Sequence, residues 1–392
     1  MTEKTNIQQG YKDSPLGMIP KEWEVKRLGE ICTFLDSQRI PIKDADRGKM
    51  QGKYPYYGAS GIIDYVNDYI FDDDLILLGE DGANIIMRST PLAFLVSGKV
   101  WINNHAHVLK TKSGFSRYYV CNYLESLSYD KYNTGTAQPK LNREVCEKIP
   151  VLLPPKKEQN RLSELFTTWD TAIEKQSELI EKLKLRKRAL MQQLLTGKKR
   201  LLGFSGEWRK IKAGELFTSS SIKGNPDEVL LSATQEYGVI PRDQLEGRVT
   251  MPKGDLGLFK LVEEGDFVIS LRSFQGGIEY SKYRGIVSPA YNVLKPIIEI
   301  DKAFYQFYFK SSDFIGHLAV AVIGIRDGKQ ISYDDFCFVK IPYPNIDEQK
   351  AISCILLQAD KEIELANEKL ARLQSQKRGL MQQLLTGKKR II

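Results

Sequence analysis

An eleven-residue segment, LMQQLLTGKKR, occurs twice in the 392-residue chain, at Leu190–Arg200 and at Leu380–Arg390. An identical match of this length does not arise by chance, so the chain contains an internal duplication. The same offset of 190 residues (380 minus 190) persists upstream, where the Glu-Gln pair at 158–159 matches the pair at 348–349. The chain is therefore predicted to be two tandem halves, divided near residue 200.

The two halves are most alike over their last 40 to 45 residues, whereas their earlier parts agree only at scattered points such as Trp23 and Trp208. The C-terminal part of the repeated module is thus nearly the same in both halves, while the part before it differs. We predict a first domain at 1–157, a central helix at 158–200, a second domain at 201–347 and a C-terminal helix at 348–392.

The similar parts have the pattern of long helices that form a coiled coil. No Pro or Gly occurs from Glu158 to Leu195, and apolar residues recur at alternating steps of four and three. Lys187 and Lys377 interrupt the two stripes at matching positions, and a polar residue there can fix the register. The predicted seam residues are Phe166, Trp169, Ile173, Ile180, Leu183 and Leu190, then Leu356, Ile363, Leu370, Leu373 and Leu380.

Two arrangements of these helices are open. Each helix could pack on its own domain, or the two apolar stripes could pack against each other. The second arrangement is favoured because each stripe needs a partner and the chain supplies one matching stripe. An antiparallel pair would give the chain an internal pseudo-twofold symmetry. The predicted fold class is α+β, with two tandem mixed α/β domains joined by two long helices.

The dissimilar parts read as β-rich. Apolar, β-branched and aromatic runs separated by Gly-containing turns predict strands, and two longer amphipathic runs predict one helix in each half. The predicted strands are 62–71, 74–80, 94–103 and 105–111 in the first half, and 228–234, 265–272 and 285–295 in the second; the predicted helices are 116–127 and 302–319.

Composition limits the classes of protein. With 42% hydrophobic and 27% charged residues the chain is an ordinary globular protein, and it has no apolar run of the roughly 20 residues that cross a bilayer. The N-terminus lacks an apolar signal core, so we expect a cytoplasmic protein without a membrane partner. The net charge of +8 permits a polyanionic partner. The five scattered cysteines are expected to be free thiols.

Signatures of catalysis are absent from the sequence. It has no phosphate-binding loop, no dinucleotide fingerprint and no Asn-Pro-Pro-aromatic motif of amino-methyltransferases. His105 and His107 alternate on a predicted strand without an evident third ligand, so no metal site is predicted. An acidic group could suggest a magnesium-dependent nuclease, but a strand edge explains it better: Asp72, Asp73, Asp74, Glu80 and Asp81.

Several segments accompany the duplication. These are the entry Pro20, Glu22 and Trp23, the segments YPYYGASGII, LLGEDGAN and NNHAHVL, and K-I-P…E-Q before a helix that ends in LMQQLLTGKKR, with VSPAYNVLK and KIPYPNIDEQ in the second half. Together with the duplicated architecture, these segments resemble one family, the specificity subunits of type I restriction-modification systems. The resemblance covers nearly the whole chain.

The resemblance implies that each β-rich domain is a target-recognition domain that reads one half of a bipartite site in double-stranded DNA. It implies that the two helices set the distance between half-sites and dock two modification subunits, which carry S-adenosylmethionine and methylate adenine. Restriction subunits would add ATP- and magnesium-dependent cleavage. The chain itself would bind no cofactor and would not be an enzyme.

Candidate contact residues come from loops that combine aromatic, amide and basic side chains, which suit phosphates and base edges. For each of them a turn or strand-edge role is an equal alternative. The candidates for DNA contact are Lys53, Tyr56, Tyr57, Ser60, Asn103, Asn104, His105, Gln138 and Lys140 in the first domain, and Arg272, Ser273, Gln275, Tyr291, Arg326, Lys329 and Gln330 in the second.

The helix endings are the candidates for partner binding, because their identical repetition is expected to exceed what packing requires. These residues are Gln192, Gln193, Thr196 and Gly197, with Gln382, Gln383, Thr386 and Gly387. Two other functions stay open at this point. One is a coiled-coil interaction scaffold whose β-rich domains bind proteins, and the other is a self-contained nuclease or methyltransferase.

Overall fold

The computed structural model describes residues 9–245, 255–271, 273–322 and 331–391. The chain forms two compact units. The first comprises residues 1–177 and 368–392, and the second comprises residues 178–367. Each unit therefore contains one β-rich domain and a portion of each long helix, a division that cuts through both predicted helical segments.

The first unit contains a six-stranded sheet of order β4-β9-β7-β8-β5-β6 and two small two-stranded sheets, β1-β2 and β10-β3. Short 3-10 turns lie at Asp36–Gln38 and Asp130–Tyr132. Its strands are β1 Tyr11–Lys12, β2 Ile19–Pro20, β3 Glu24–Arg27, β4 Cys32–Phe34, β5 Gln51–Gly58, β6 Gly61–Val66, β7 Phe71–Gly79, β8 Ala93–Ile102, β9 Ala106–Thr111 and β10 Pro150–Leu153; its helices are α1 Leu28–Ile31, α2 Asp44–Arg47, α3 Asn84–Met87, α4 Arg117–Ser126 and α5 Arg143–Glu147.

The large sheet must be strongly coiled. β8 and β9 both pair antiparallel with β7, with Val100 opposite Phe71 and Ala106 opposite Gly79. Eight residues of β7 span about 26 Å, whereas the six residues from Val100 to Ala106 reach at most about 21 Å. A flat sheet cannot satisfy both pairings, so the strands curl around an interior.

The central strand β7 is consequently buried on both faces. Leu75 and Leu77 belong to the interior cluster, together with residues of β8 and β9. Ile76 and Leu78 face the other way and belong to a second cluster with α4 and the small β3-β10 sheet. A continuous apolar run such as LILL is what a strand buried on both faces requires.

The second unit repeats the plan with smaller sheets, of which the largest has the order β12-β19-β16-β17. Short 3-10 turns lie at Arg242–Gln244 and Leu256–Leu258. Its strands are β11 Arg209–Lys212, β12 Phe217–Ser220, β13 Leu231–Thr234, β14 Gly238–Pro241, β15 Lys260–Val262, β16 Phe267–Ile269, β17 Glu279–Tyr280, β18 Gly285–Val287, β19 Asn292–Pro296 and β20 Lys340–Tyr343; its helices, after α6 (Lys156–Leu194), are α7 Ala213–Leu216, α8 Ser273–Gly276, α9 Lys302–Tyr308, α10 Ser312–Val322 and α11 Tyr333–Phe338.

The elements differ from the sequence prediction at their boundaries. The predicted strand 62–71 covers β6 and only the first residue of β7, and the predicted strand 285–295 is two strands, β18 and β19. The predicted helix 302–319 is two helices, α9 and α10. The long helices are α6 and α12 (Ile346–Leu384), so each predicted helical segment ends six to eight residues beyond the helix itself. The last residues of each segment leave the helical path after a glycine, as described below.

Within each unit the two long helices run antiparallel. In the first unit Asp170 of α6 pairs with Lys377 of α12, and Glu158, nearer the start of α6, pairs with Arg390. In the second unit Lys187 pairs with Asp360, and Arg200 pairs with Glu348. Residue numbers rise along one helix as they fall along the other, which is the direction predicted from the sequence.

The predicted seam residues face inward along both helices, with exposed residues between them. Phe166, Ile180 and Leu356 are buried, and the remaining seam residues are half-buried: Trp169, Ile173, Leu183, Leu190, Ile363, Leu370, Leu373 and Leu380. The two lysines that interrupt the seam each meet an aspartate at the matching position of the opposite helix. These two ion pairs fix the axial register of the helices, because an apolar seam alone would tolerate sliding by a heptad.

The structure combines the two arrangements considered for the helices: each long helix packs on its own domain and also against the other long helix. Leu162 and Phe166 of α6 lie in the core of the first domain, so the start of the helix packs on its own domain. Met381, Leu384 and Leu385 of α12 complete that same core. The second core likewise includes Leu194 and Leu195 of α6 beside Ile352 and Leu356 of α12. Each domain therefore closes around the beginning of one long helix and the end of the other.

Phe166→Ala should destabilise the first unit by about 3–5 kcal/mol, because this seam side chain is fully buried and its loss leaves a cavity. Thr167→Ala, on the exposed neighbour, is the matched control and should change stability by about 0.5 kcal/mol or less. Urea unfolding followed by hydrogen exchange of first-unit peptides measures both. Equal effects of the two substitutions would contradict the assignment of the seam.

Candidate nucleic-acid interface and helix ends

Four loops of the first domain meet at one edge of the coiled sheet. We call them the loop edge: Ala59–Ser60, Glu80–Gly82, Asn103–His105 and Pro139–Lys140. Backbone hydrogen bonds join three of them, from Glu80 N–H to His105 O at 2.8 Å, from Gly82 N–H to Pro139 O at 3.1 Å and from Leu141 N–H to Glu80 O at 2.7 Å. The Ala59–Ser60 loop follows β5, which is joined to Asn103 by the bond from Asn103 N–H to Tyr57 O at 3.0 Å. Segments that are far apart in sequence thus form one surface.

Hydrogen bonds from Arg39 stabilise the loop edge. Its Nη1 donates to Glu80 Oε2 at 2.6 Å and to the carbonyl of Ala106 at 2.7 Å, while Nε donates to the carbonyl of Asp36 at 3.0 Å. Above it, Lys140 Nζ lies 3.4 Å from Glu80 Oε1. The carboxylate of Glu80 thus lies near both cations, and His107 Nδ1 is also 3.7 Å from its Oε2. Lys140 is exposed and remains accessible to an anionic ligand.

Five of the predicted DNA-contact residues are exposed at or beside this edge: Ser60, Asn104, His105, Gln138 and Lys140. His105 Nδ1 lies 2.8 Å from Asp81 Oδ2. Lys53 is exposed but lies five residues before the end of β5, about 17 Å from this edge along the strand. Tyr57 is half-buried, with its ring centroid 6.1 Å from that of Phe94.

Two predicted contact residues are structural instead. Tyr56 is buried, and its hydroxyl accepts a hydrogen bond from the backbone N–H of Ile42 at 3.0 Å. Asn103 is also buried, and its Oδ1 accepts the backbone N–H of His105 at 2.8 Å. These bonds match the turn or strand-edge role that was the alternative for each residue, because a sequence pattern does not distinguish an amide that shapes a turn from one that faces solvent.

His107 and His105 have opposite environments although they alternate on one strand. His107 Nδ1 lies 2.7 Å from Asp36 Oδ2, and Nε2 lies 2.8 Å from the carbonyl oxygen of Leu141. Both partners only accept hydrogen bonds, so both ring nitrogens carry protons. Burial by itself lowers the pKa of His107, but hydrogen bonds to Asp36 and Cys146 outweigh it and raise the pKa to about 10. His107 is therefore a buried cation that ties β9 to the 3-10 turn at Asp36.

The second domain presents an open cleft of about 1220 Å³. The β13-β14 hairpin and the turn between β17 and β18 bound it, since Val239 bridges to Ser281 and brings the 234–238 turn beside the 280–283 turn. Aromatic, amide and basic side chains line the cleft, the types that contact bases and phosphates. Those used below are Gln235, Tyr237, Gln244, Lys282, Tyr283 and Tyr291.

A buried ion pair supports the cleft near Gln235. Lys310 Nζ donates to Glu279 Oε1 at 2.6 Å, to the carbonyl of Gly276 at 2.9 Å and to that of Gln235 at 3.3 Å. Burial raises the pKa of Glu279 to about 7, and the charge of Lys310 opposes that shift. The pair fixes the turn that carries Gln235 and Tyr237.

Of the residues predicted for the second domain, Tyr291 is half-buried and lines this cleft. Ser273 is buried, and its hydroxyl accepts the backbone N–H of Ser270 at 2.8 Å, which matches the turn role that was the alternative to DNA contact. Arg272, Arg326, Lys329, Gln330 and the side chain of Gln275 lie outside the described residues. The sequence analysis did not name the cleft residues Gln235, Tyr237, Gln244, Lys282 and Tyr283 as candidates. The segments TQEYG and SKYRG, which contain all of them except Gln244, could have suggested them.

The acidic residues of the first domain are dispersed in separate ion pairs. Asp73 pairs with Lys110, and Asp74 pairs with Arg117. Among the residues that the structure describes, no group of three or more His, Cys, Asp or Glu could hold a metal ion. Nor is any helix in the described ranges long and apolar enough to cross a membrane. All five cysteines are free thiols, as expected from their spacing.

A Trp–Glu–Arg triad closes each unit. In the first triad, Glu158 Oε2 accepts the indole N–H of Trp23 at 3.1 Å and Arg390 Nη2 at 2.9 Å. In the second triad, Glu348 Oε2 accepts the indole N–H of Trp208 at 2.9 Å and Arg200 Nη2 at 2.7 Å. In both triads the Arg Nε also donates to Oε1, at 3.2 and 2.6 Å, which makes the pairs bidentate.

The glutamine that follows each of these glutamates anchors the domain to its helix. Gln159 Oε1 accepts the backbone N–H of Ser116, and its Nε2 donates to the carbonyl of Pro154. Gln349 makes the corresponding bonds with Asp301 and Pro344. The repeated Glu-Gln pair thus joins the first turn of each long helix to the preceding strand and to the N-terminus of α4 or α9.

The repeated helix endings are largely explained by this packing. Gly197 and Gly387 have φ of +69° and +72°, which glycine adopts readily. A Cβ on Gly197 would lie 3.2 Å from the Trp208 ring, and one on Gly387 would lie 2.6 Å from Pro20. Thr196 and Thr386 bond the carbonyls four residues earlier.

Packing therefore accounts for the repetition of the threonines and glycines, and partner binding by the eight predicted residues stays a prediction. Four of those residues are exposed glutamines: Gln192, Gln193, Gln382 and Gln383. The neighbouring lysines, which the sequence analysis did not name, are exposed as well: Lys198, Lys199, Lys388 and Lys389.

Comparison with known proteins gives a consistent result over the whole length. The model of the type I restriction modification DNA specificity domain matches residues 20–185 and 206–375. A relative from Methanocaldococcus jannaschii, the type I restriction enzyme MjaVIII specificity subunit, is 25% identical over 430 residues that cover 98% of this chain and 97% of that protein.

Two solved structures share the fold. The type I restriction-modification system S subunit from M. genitalium aligns with a TM-score of 0.57 and 14% identity, over 97% of this chain and 98% of that one. A chain from a study of complex assembly and conformational transition in the type I R-M system aligns with a TM-score of 0.54 and 15% identity, over 94% and 99%. These similarities show the fold alone.

The free energy of unfolding of the first unit should fall as pH rises. The pKa of His107 is raised in the folded state, so its contribution is complete below the unfolded pKa near 6.5 and disappears as pH rises through about 10. His107→Gln should lower stability at pH 7 and flatten this dependence. His105→Gln, on the exposed ring, is the control. Urea midpoints between pH 6.5 and 10 test this, and parallel curves for the native chain and His107→Gln would contradict it.

Arg200→Ala should destabilise the second unit by roughly 3 kcal/mol, because it leaves the buried Glu348 carboxylate without its cation. Lys199→Ala, on the exposed neighbour, should have little effect. Hydrogen exchange resolved by peptide should accelerate in residues 209–220 and 340–356 and stay unchanged in the first unit. Acceleration that is equal in both units would contradict the assignment of one triad to each unit.

Proposed function

We propose a mode of action from one premise: the chain belongs to the type I restriction-modification DNA specificity family, whose model spans both of its halves. It is a specificity subunit of such a system. The proposal is that each β-rich domain reads one half of a bipartite site in double-stranded DNA. The observation that carries it is a contrast within the chain. The long helices and their triads are nearly the same in both halves, whereas the loop edge and the cleft differ and bear side chains of the types that contact bases and phosphates.

For the first half-site we assign the reading surface to the loop edge. Lys140, Asn104 and His105 are exposed there on loops fixed by backbone hydrogen bonds. For the second half-site we assign it to the cleft lined by Gln235, Tyr237 and Lys282. Cationic and amide groups on a rigid support suit phosphate contacts and base-edge readout, respectively.

The helices would set the separation of the half-sites and dock two modification subunits. Each 39-residue helix is about 58 Å long at 1.5 Å per residue, and each belongs to both units. The exposed glutamines and lysines of the two helix endings offer the same surface twice. Two copies of one protein would bind such a repeated surface equally.

We assign catalysis to the partners, because the sequence lacks the Asn-Pro-Pro-aromatic motif of amino-methyltransferases and the loops that bind nucleotide phosphates. The modification subunits would hold S-adenosylmethionine and methylate adenine. Restriction subunits would use ATP and magnesium. This chain would select the site and bind no cofactor of its own.

Replacement of the first domain tests this division. Residues 29–148 would be exchanged for the corresponding residues of a homologous subunit. The hybrid keeps Trp23, Glu158 and the small β3-β10 sheet of this chain, so the first triad still forms. The hybrid and the native chain are each co-expressed with the modification subunit, and methyladenine in host DNA is mapped by single-molecule sequencing.

One half of the methylated motif should change while the other half and the spacing persist. A change in both halves would contradict separate reading by the two domains. A stable complex that adds no methylation anywhere would instead favour the protein-binding scaffold.

A further inference from the structure

The imidazole ring of His105, at the loop edge, is hydrogen-bonded through one nitrogen and open at the other. Its Nδ1 lies 2.8 and 3.0 Å from the two carboxylate oxygens of Asp81. Its Nε2 has no hydrogen-bond partner among the residues that the structure describes, and the side chain is 52% exposed. The ring is therefore fixed on the protein side and accessible to a ligand on the other.

The backbone of three loops holds both members of this pair in place. Asp81 forms an antiparallel bridge with Lys140. The neighbouring Glu80 N–H donates to the carbonyl of His105 at 2.8 Å, and Asn103 Oδ1 accepts the backbone N–H of His105 at 2.8 Å. The orientation of the ring is therefore set before any ligand binds.

Asp81 also determines which ring nitrogen carries the proton. An ionised carboxylate only accepts hydrogen bonds, so the proton of the neutral ring lies on Nδ1. Nε2 then keeps its lone pair and is an acceptor, because the bond made by one imidazole nitrogen sets the role of the other. His107 is the contrast, since acceptors face both of its nitrogens. No acceptor among the described residues requires a proton on Nε2 of His105.

A single acceptor in a fixed position distinguishes between bases. In the major groove only adenine N6 and cytosine N4 carry donor groups, whereas guanine and thymine present acceptors there. An acceptor at the reading surface pairs with an amino group. Opposite guanine or thymine it would meet a second acceptor, and both groups would lose a hydrogen bond that water had supplied.

We propose that His105 is a specificity-determining residue of the first half-site, and that its Nε2 accepts a hydrogen bond from an exocyclic amino group of adenine or cytosine. Asp81 is a positioning residue, which does not touch the base but fixes the tautomer and the orientation of the ring. The inference rests on the proposed function and adds the chemical group that the first domain reads.

The surroundings of the ring favour a base edge over a phosphate as its ligand. Phosphate oxygens only accept hydrogen bonds, so the lone pair on Nε2 repels them. Lys140, exposed on the adjoining loop, supplies a cation for the phosphates, and the exposed amide of Asn104 is a second group suited to base edges. The loop edge thus offers separate groups for the two kinds of contact.

A second exposed histidine provides a matched control. His317 Nδ1 is 3.5 Å from Asp313 Oδ2, one turn away in the same helix, and the two side chains are 56% and 41% exposed. This contact is too long to fix a tautomer. His317 thus resembles His105 in exposure and in its acidic neighbour but lacks the preorganised hydrogen bond.

The test measures binding by the full chain in complex with its modification subunits, on duplexes that carry its motif. Each adenine of the first half-site is replaced in turn by purine, and each cytosine by 2-pyrimidinone, on both strands. Each replacement removes one exocyclic amino group. Every base pair contains one adenine or one cytosine, so the scan covers the half-site completely.

One replacement should weaken binding of the native complex roughly fivefold more than it weakens binding of His105→Phe, which keeps a flat ring without nitrogens. Comparison of the two proteins on the same duplex removes the effect of the analogue on base pairing. Asp81→Asn can donate to Nδ1 and so releases the tautomer, and it should reduce the coupling at the same position. His317→Phe should retain the coupling in full. Thermal unfolding of both histidine variants should match the native chain, because the two rings are exposed.

The outcomes are distinguishable. Sequence-selective binding in which no amino group couples to His105 would overturn the inference and leave the proposed function in place. Coupling of His105 to guanine N7, measured with 7-deazaguanine, would also overturn it, because the ring would then be a donor. Coupling that Asp81→Asn leaves unchanged would overturn the positioning role of Asp81. Absence of any sequence-selective binding by the native complex would overturn the proposed function itself.

Discussion

Two buried carboxylates govern how this chain folds. Glu158 and Glu348 are 5% and 1% exposed, and a buried charge is tolerated only where a cation and hydrogen-bond donors compensate it. The indole N–H comes from the same domain in each case, but the arginine comes from the end of a long helix, Arg390 or Arg200. Each domain can therefore complete its fold only when the arginine at that helix end pairs with the buried glutamate. For this reason both antiparallel helices contribute to the core of each domain.

This constraint also explains why one part of the chain is repeated closely and another is not. The Glu-Gln pair, the tryptophan, the seam and the LMQQLLTGKKR ending contact one another in both units, so a change at one position would require changes at several. The loop edge and the cleft lie away from these contacts. Their side chains can vary without disturbing the triads, and they differ between the halves.

The sequence predicted the parts of this structure that depend on periodic patterns. The duplication, the two long helices and the seam follow from spacing alone, because a heptad stripe such as Phe166–Ile180 requires a partner. Spacing does not set the direction of that partner, and the antiparallel arrangement came from the family resemblance. Domain-level details did not follow. The curl of the large sheet depends on which strands pair, and the break between α9 and α10 depends on tertiary packing around Phe309 and Ser311.

The candidate site was predictable by region but not by residue. The loops around Asn103–His105 and Gln138–Lys140 carry side chains suited to DNA, and they do meet at one edge. Burial decided the individual roles: Tyr56, Asn103 and Ser273 satisfy backbone groups, whereas Asn104 and Lys140 face solvent. The role of the triads was hidden, because Trp23, Glu158 and Arg390 are separated by more than 100 residues at each step (158 minus 23, and 390 minus 158). Only a tertiary structure brings such residues together.

The most direct test of the account is hydrogen exchange of the chain in complex with its modification subunits, with and without a duplex that carries its motif. The account predicts slower exchange at residues 80–88, 103–106 and 138–141 in the first domain and at 234–238 and 280–284 in the second, with no change at the triads. A scrambled duplex should not produce this pattern. Protection confined to the helices and triads, with the loop edge and the cleft unaffected by the specific duplex, would contradict the account.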